Sequence, residues 1–190
     1  MNSIYFFALM FLLNGSDCTV LGDGKKQSDI QSSALKNRFL FPENINADVT
    51  LLQMYGTGHN DENEFESGYY TTVTGYVYDV KSGGAEDCNC HAQNDNLRDT
   101  HIEICIDENH TAKTDRIVCE ITPSVKIKLG LTTAQIKKEM KGKNVSITGY
   151  MFFDREHRQN AYNTQPDATK NIWRRTCWEI HPVASFSIEN

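Results

Sequence analysis

At 190 residues and 39% apolar, with two Trp, nine Phe and eight Tyr, the chain carries enough hydrophobic material for one folded domain plus appendages, which excludes disorder throughout. Its 19 basic and 25 acidic residues leave a formal net charge of −6. That balance disfavours broad attraction to nucleic-acid backbones or anionic membrane surfaces, and no basic run stands out against it.

Ile4 to Leu13 is an apolar run of ten residues that breaks into Asn14-Gly15-Ser16-Asp17-Cys18. The length suits a signal-peptide core and falls short of the ~20 residues that span a bilayer, so no transmembrane span is expected. Met1-Asn2-Ser3 ahead of it has no Lys or Arg. A signal peptide over residues 1–18 implies export to the periplasm or cell envelope. Cys18 adds a second reading, a lipoprotein anchored to the membrane through that cysteine, although Asp17 is a poor residue at the cleavage position. A buried N-terminal strand is the bland alternative. Residues 19–47 are rich in Ser, Lys, Gln, Asn and Asp and read as a flexible linker. Residues 48–68 hold a short apolar piece, Asp48 to Tyr55, then an acidic, Gly-containing stretch, and read as a flank of the main domain.

The pattern becomes regular over residues 69–190. Tyr69 to Val80 is dense in β-branched and aromatic residues and predicts a strand bent at Gly75. Residues 81–99 read as loop, followed by strands near 101–107 and 116–122 joined by a polar turn. Thr132 to Met140 has helix formers, a Thr N-cap and Gly142 to end it. Val145 to Phe153, with Gly149 inside, and Arg175 to Ile188 supply the last two strands. The order β-β-β-α-β-β is that of an OB-fold-like, five-stranded, all-β barrel with one helix and an N-terminal extension. An open α+β sheet with one covering helix is the competing architecture.

Several segments also resemble uncharacterised bacterial exported proteins with an OB-fold-like domain that ends in a Trp-Glu-Ile-His-Pro motif. The matching pieces are Thr74-Gly75-Tyr76-Val77, Asp99-Thr100-His101-Ile102-Glu103, Glu120-Ile121-Thr122-Pro123, Val145 to Tyr150, Phe153 to His157 and Arg175 to Pro182. The resemblance implies the fold and an exported setting, with no activity to carry over.

His101-Ile102-Glu103 and Glu179-Ile180-His181 each place a histidine and a glutamate two residues apart, so each pair projects from one strand face. With Ile102, Ile104, Ile117, Ile121, Trp178 and Ile180 turned inward, His101, Glu103, Glu120, Glu179 and His181 share the outer surface. On an OB barrel their three strands are neighbours, so the five can gather there, with Glu156 and His157 at the rim. Imidazole and carboxylate ligate divalent metals, and His101, Glu103 and His181 are the candidate metal ligands. The same groups can instead form a structural network that binds no ligand. Arg175 is either an anion-recognising residue or the cation that neutralises the glutamates. No His-Glu-x-x-His, Gly-x-Ser-x-Gly or Walker-type motif occurs.

Apart from Cys18 there are five cysteines, Cys88, Cys90, Cys105, Cys119 and Cys177. The Cys88-Asn89-Cys90-His91 loop reads as one end of a disulfide to another part of the domain, or as half of a metal clamp. Cys105 and Cys119 have opposite parity and are not expected to bond. Candidate stacking platforms are Tyr69, Tyr76, Tyr78, Tyr150, Phe152 and Trp173. The leading expectation is an exported domain that binds a carbohydrate, a peptide or an envelope protein. Its rival is a metal-dependent hydrolase such as a nuclease or phosphoesterase, which requires three of the five His/Glu groups to meet beside an open cleft.

Overall fold

The computed structural model describes residues 18–165 and 171–189. The apolar run read as a signal-peptide core lies outside them. Five strands, β1 (Tyr70–Ser82), β2 (Thr100–Cys105), β3 (Ile117–Ile121), β4 (Asn144–Phe153) and β5 (Trp178–Ile188), close a barrel in the order β1-β2-β3-β5-β4. The closed barrel rules out the open-sheet alternative.

Closure depends on β1, whose first half pairs with β4 (Tyr70↔Tyr150 to Tyr76↔Asn144) and whose second half pairs with β2 (Tyr76↔Cys105 to Ser82↔Thr100). The strand changes partner next to Gly75, where a Cβ would run into the Cys105 carbonyl and Leu51. Gly149 in β4 is tied in the same way, since a Cβ there would meet the Pro182 carbonyl at 2.5 Å. Strands that turn this tightly against a neighbouring backbone need a residue without a side chain. The β-branched alternation then fills the interior with Val73, Val77, Val80, Ile102, Ile104, Ile117, Ile121, Val145, Ile147 and Ile180, all buried.

The helical complement is richer than expected. Helix α1 (Gln27–Lys36) lies inside the segment read as a flexible linker, and α2 (Leu51–Tyr55) inside the flank. Between β3 and β4 stand two helices, α3 (Pro123–Leu129) and α4 (Thr133–Met140), where one was expected. α3 starts with Pro123 in its first turn and stops at Gly130, whose φ of 68° ends the helix. α4 matches expectation: the Thr132 hydroxyl accepts from the Gln135 amide, and Ile136 and Met140 are buried. α2 places Leu51 and Met54 in the barrel core.

Residues 19–47 are the clearest departure. α1 packs beside the turn at Asp87–Asn89 and against β5, and its buried positions are the polar Ser33 and Lys36. Just ahead of it, Cys18 forms a disulfide with Cys90. A lipid anchor would need the same sulfur, so this disulfide and a lipidated Cys18 exclude each other. The loop cysteine Cys90 bonds to a distant part of the chain, as expected, with Cys18 as its partner. Cys88, Cys105, Cys119 and Cys177 are free and buried. No helix among the described residues is long and apolar enough to cross a membrane.

Candidate functional site

Strand register brings the predicted groups together. His101 on β2 stands directly opposite Glu120 on β3, and Cys119 pairs with Ile180, which sets Glu120 beside Glu179 and His181 on β5. The expectation of an exposed surface fails, however. His101, Glu103, Glu120, Glu179 and His181 are all buried, because α1, the 82–91 loop and the segment preceding β5 cover this face. Parity separates the core side of a strand from the other side, but it does not say whether that other side meets water.

Burial makes pairing obligatory. The Glu120 carboxylate receives His101 Nδ1 at 2.9 Å and faces His181 Nδ1 at 3.2 Å. Glu103 takes Lys81 at 2.5 Å and Arg116 at 2.9 Å, with His101 Nε2 3.7 Å away. Burial alone would raise these carboxyls, yet the neighbouring histidines and Lys81 hold Glu103 and Glu120 at about 2. Burial opposes the His101 imidazolium, and Glu103 and Glu120 outweigh it, so its pKa is raised. Glu179 behaves in the opposite sense. Burial, reinforced by Asp154 and Glu120 and only partly offset by Arg174, pushes its carboxyl well above the usual range.

Four contributors lay outside the sequence reading. Arg174 is 1% exposed, with its Nη1 3.2 Å from Asp154 and its Nη2 3.6 Å from Glu179, while Nε donates to the Thr176 carbonyl at 2.7 Å. Asp154 also meets His157 Nδ1 at 2.5 Å, and the hydrogen bond to His157 with the charges of Lys36 and Arg174 holds it well below the ordinary carboxylate range despite burial. Lys36 reaches in from α1 to Glu86 at 2.7 Å. Asp99, immediately before β2, sits 3.5 Å from His181 Nε2. These residues occupy loops, helix ends and a short turn, where no periodic signal marks a side chain as inward. Of the adjacent arginines in Trp173-Arg174-Arg175, it is Arg174 and not the expected Arg175 that enters the cluster. Arg175 lies elsewhere, its guanidinium stacked 3.8 Å from the Tyr55 ring and donating to the Tyr55 carbonyl at 2.8 Å. Glu156 is exposed and does not line the site.

The proposed metal trio is also corrected. His101, Glu103 and His181 do not meet at a point; among the described residues His181 converges with Asp99 and Glu120, one ligand atom from each lying within 4.8 Å of the others. Only two of the five His/Glu groups take part in it, with Asp99 as the third member.

Beside this cluster opens a cavity of ~220 Å³, walled by Lys36, Lys81, His101, Glu120, Arg174 and Glu179, with Trp173 and His157 among its lining. Trp173 is half-buried, and the His101 and His157 rings approach it at centroid distances of 5.7 and 5.4 Å. The other expected platforms are already used or lie away from it. Arg116 covers Tyr78, Arg38 covers Tyr150, and Phe152 is buried against His181. The molecule is thus a closed five-stranded β-barrel with a buried charge cluster on its outer face and one polar cavity above it. No family model and no curated protein matches the chain.

Proposed function

We propose that the chain is an exported OB-fold-like binding domain and that its cavity receives one neutral, hydroxyl-rich unit of a carbohydrate. The carrying observation is the state of the cavity wall, where every cation already has a carboxylate. Lys36 pairs with Glu86, Lys81 with Glu103, His101 with Glu120, and Arg174 with Asp154. A charged ligand would have to break a pair and leave its partner buried and unmatched, at a cost of several kcal/mol (about 3–5). Hydroxyl groups can donate to and accept from groups that remain paired, and Trp173, with the Arg174 guanidinium 5.3 Å and Lys81 Nζ 6.0 Å from its ring centroid, supplies an aromatic wall for a sugar ring. The ~220 Å³ volume is below the ~300 Å³ lower end of pockets for drug-sized ligands, which fits a single unit of a longer chain.

Two further observations support the setting. The strand order β1-β2-β3-β5-β4, with helices between β3 and β4, accords with an OB-fold. A disulfide between Cys18 and Cys90 belongs to an oxidising compartment, in keeping with the apolar N-terminal run. The test is a glycan-array screen followed by calorimetric titration of the hits. Trp173→Ala is expected to weaken binding at least tenfold, equivalent to ~1.4 kcal/mol, with the melting temperature little changed. Failure of any neutral glycan to bind, with charged peptides binding instead, would overturn the reading.

A further inference from the structure

Beneath the cavity, His181 is fully buried and neither ring nitrogen has a hydrogen-bond partner, although Glu120 and Asp99 stand 3.2 and 3.5 Å away on its two sides. A buried imidazole with two misaligned carboxylates and no completed bond is an unusual arrangement for a purely structural contact. We propose that Asp99, Glu120 and His181 form a structural site for one divalent cation of the zinc type. This goes beyond the binding reading and does not depend on it.

The donor chemistry fits. One imidazole nitrogen and two carboxylate oxygens suit a borderline cation such as zinc better than calcium, which takes six to eight oxygens. The three ligand atoms lie within 4.8 Å of one another, and a cation at ~2.0–2.2 Å from each would draw them to about 3.4 Å apart by side-chain adjustment alone. The Cys88 thiol, 4.0 Å from Asp99 Oδ2, is a further ligand-type group at the edge of the site.

The placement defines the role. Asp99 leads into β2, Glu120 lies on β3 and His181 on β5, so one cation would clamp three consecutive strands of the barrel. Asp99 is 4% and His181 0% exposed, while Glu120 lines the cavity and so borders an entry path. The clamping of three strands by largely buried ligands gives the site a structural role.

The test is elemental analysis of the disulfide-bonded protein purified without chelator, with melting curves after chelation and after addition of zinc, manganese or calcium. About one zinc per chain is expected, with a melting temperature that falls on chelation and recovers with zinc but not calcium. Asp99→Asn is expected to abolish uptake. His91→Ala removes the separate exposed group Asp23, Asp87 and His91 and is expected to leave uptake unchanged. If the unaltered protein takes up no metal and its melting temperature ignores both zinc and chelator, the proposal fails. Uptake lost in His91→Ala but kept in Asp99→Asn would also overturn it. The readouts on the unaltered protein stand even if Asp99→Asn does not fold.

Discussion

Arg174→Met removes the central cation of the cluster while keeping a side chain of similar length. Arg174 is 1% exposed and is flanked by Asp154 at 3.2 Å and Glu179 at 3.6 Å. Breaking a buried ion pair from one side costs about 3–5 kcal/mol, because the remaining charge is buried and uncompensated. Two features place the expected loss at the lower end. Glu179 has its carboxyl pushed well above the usual range, so it can take a proton when the arginine leaves. Asp154 keeps His157 at 2.5 Å. The expected loss is therefore about 3 kcal/mol, a large part of the 5–15 kcal/mol that holds a typical domain. At 2–4 °C per kcal/mol for a chain of this size, the melting temperature should fall by about 6–12 °C. Urea denaturation with an unchanged slope gives the free energy directly. A loss below about 1 kcal/mol would refute the reasoning, since it would mean that the cluster is wet enough for water to replace the guanidinium.

The remaining expectations concern the covalent tie and the pH profile. Reducing the Cys18–Cys90 disulfide, which closes a loop with a sequence separation of 72, should lower stability by about 2–4 kcal/mol, read as a drop in melting temperature on adding a thiol; an unchanged value would show that α1 holds its place without the tie. Glu103 and Glu120 are held at about 2, so their contribution is present above the ordinary carboxylate range and is lost as pH falls toward 2. The His101 pKa is raised, so its contribution is present below the ordinary histidine value of about 6.5 and is lost as pH rises through the raised one. A melting-temperature plateau between those limits is expected, with His101→Gln flattening its alkaline edge; a profile that keeps rising through neutral and alkaline pH would contradict the pairing.

What the sequence determined by itself is whatever repeats locally. Alternation of β-branched and polar residues located the strands, Gly75 and Gly149 marked where they bend, and the Thr132 cap marked α4. The same alternation put His101, Glu103, Glu120, Glu179 and His181 on one side of their strands, and neighbouring strands then brought them together. Tertiary structure alone decided what covers that side. α1 buries Ser33 and Lys36, a polar stripe against charged neighbours, so hydrophobic periodicity has nothing to detect in it. Asp99, Asp154 and Arg174 come from irregular segments, and only the closed chain reveals that Asp99 meets His181 and that Asp154 and Arg174 pair in the interior. A periodic pattern records what one element needs from its own backbone, whereas pairing between buried charges depends on segments far apart in the chain meeting in space.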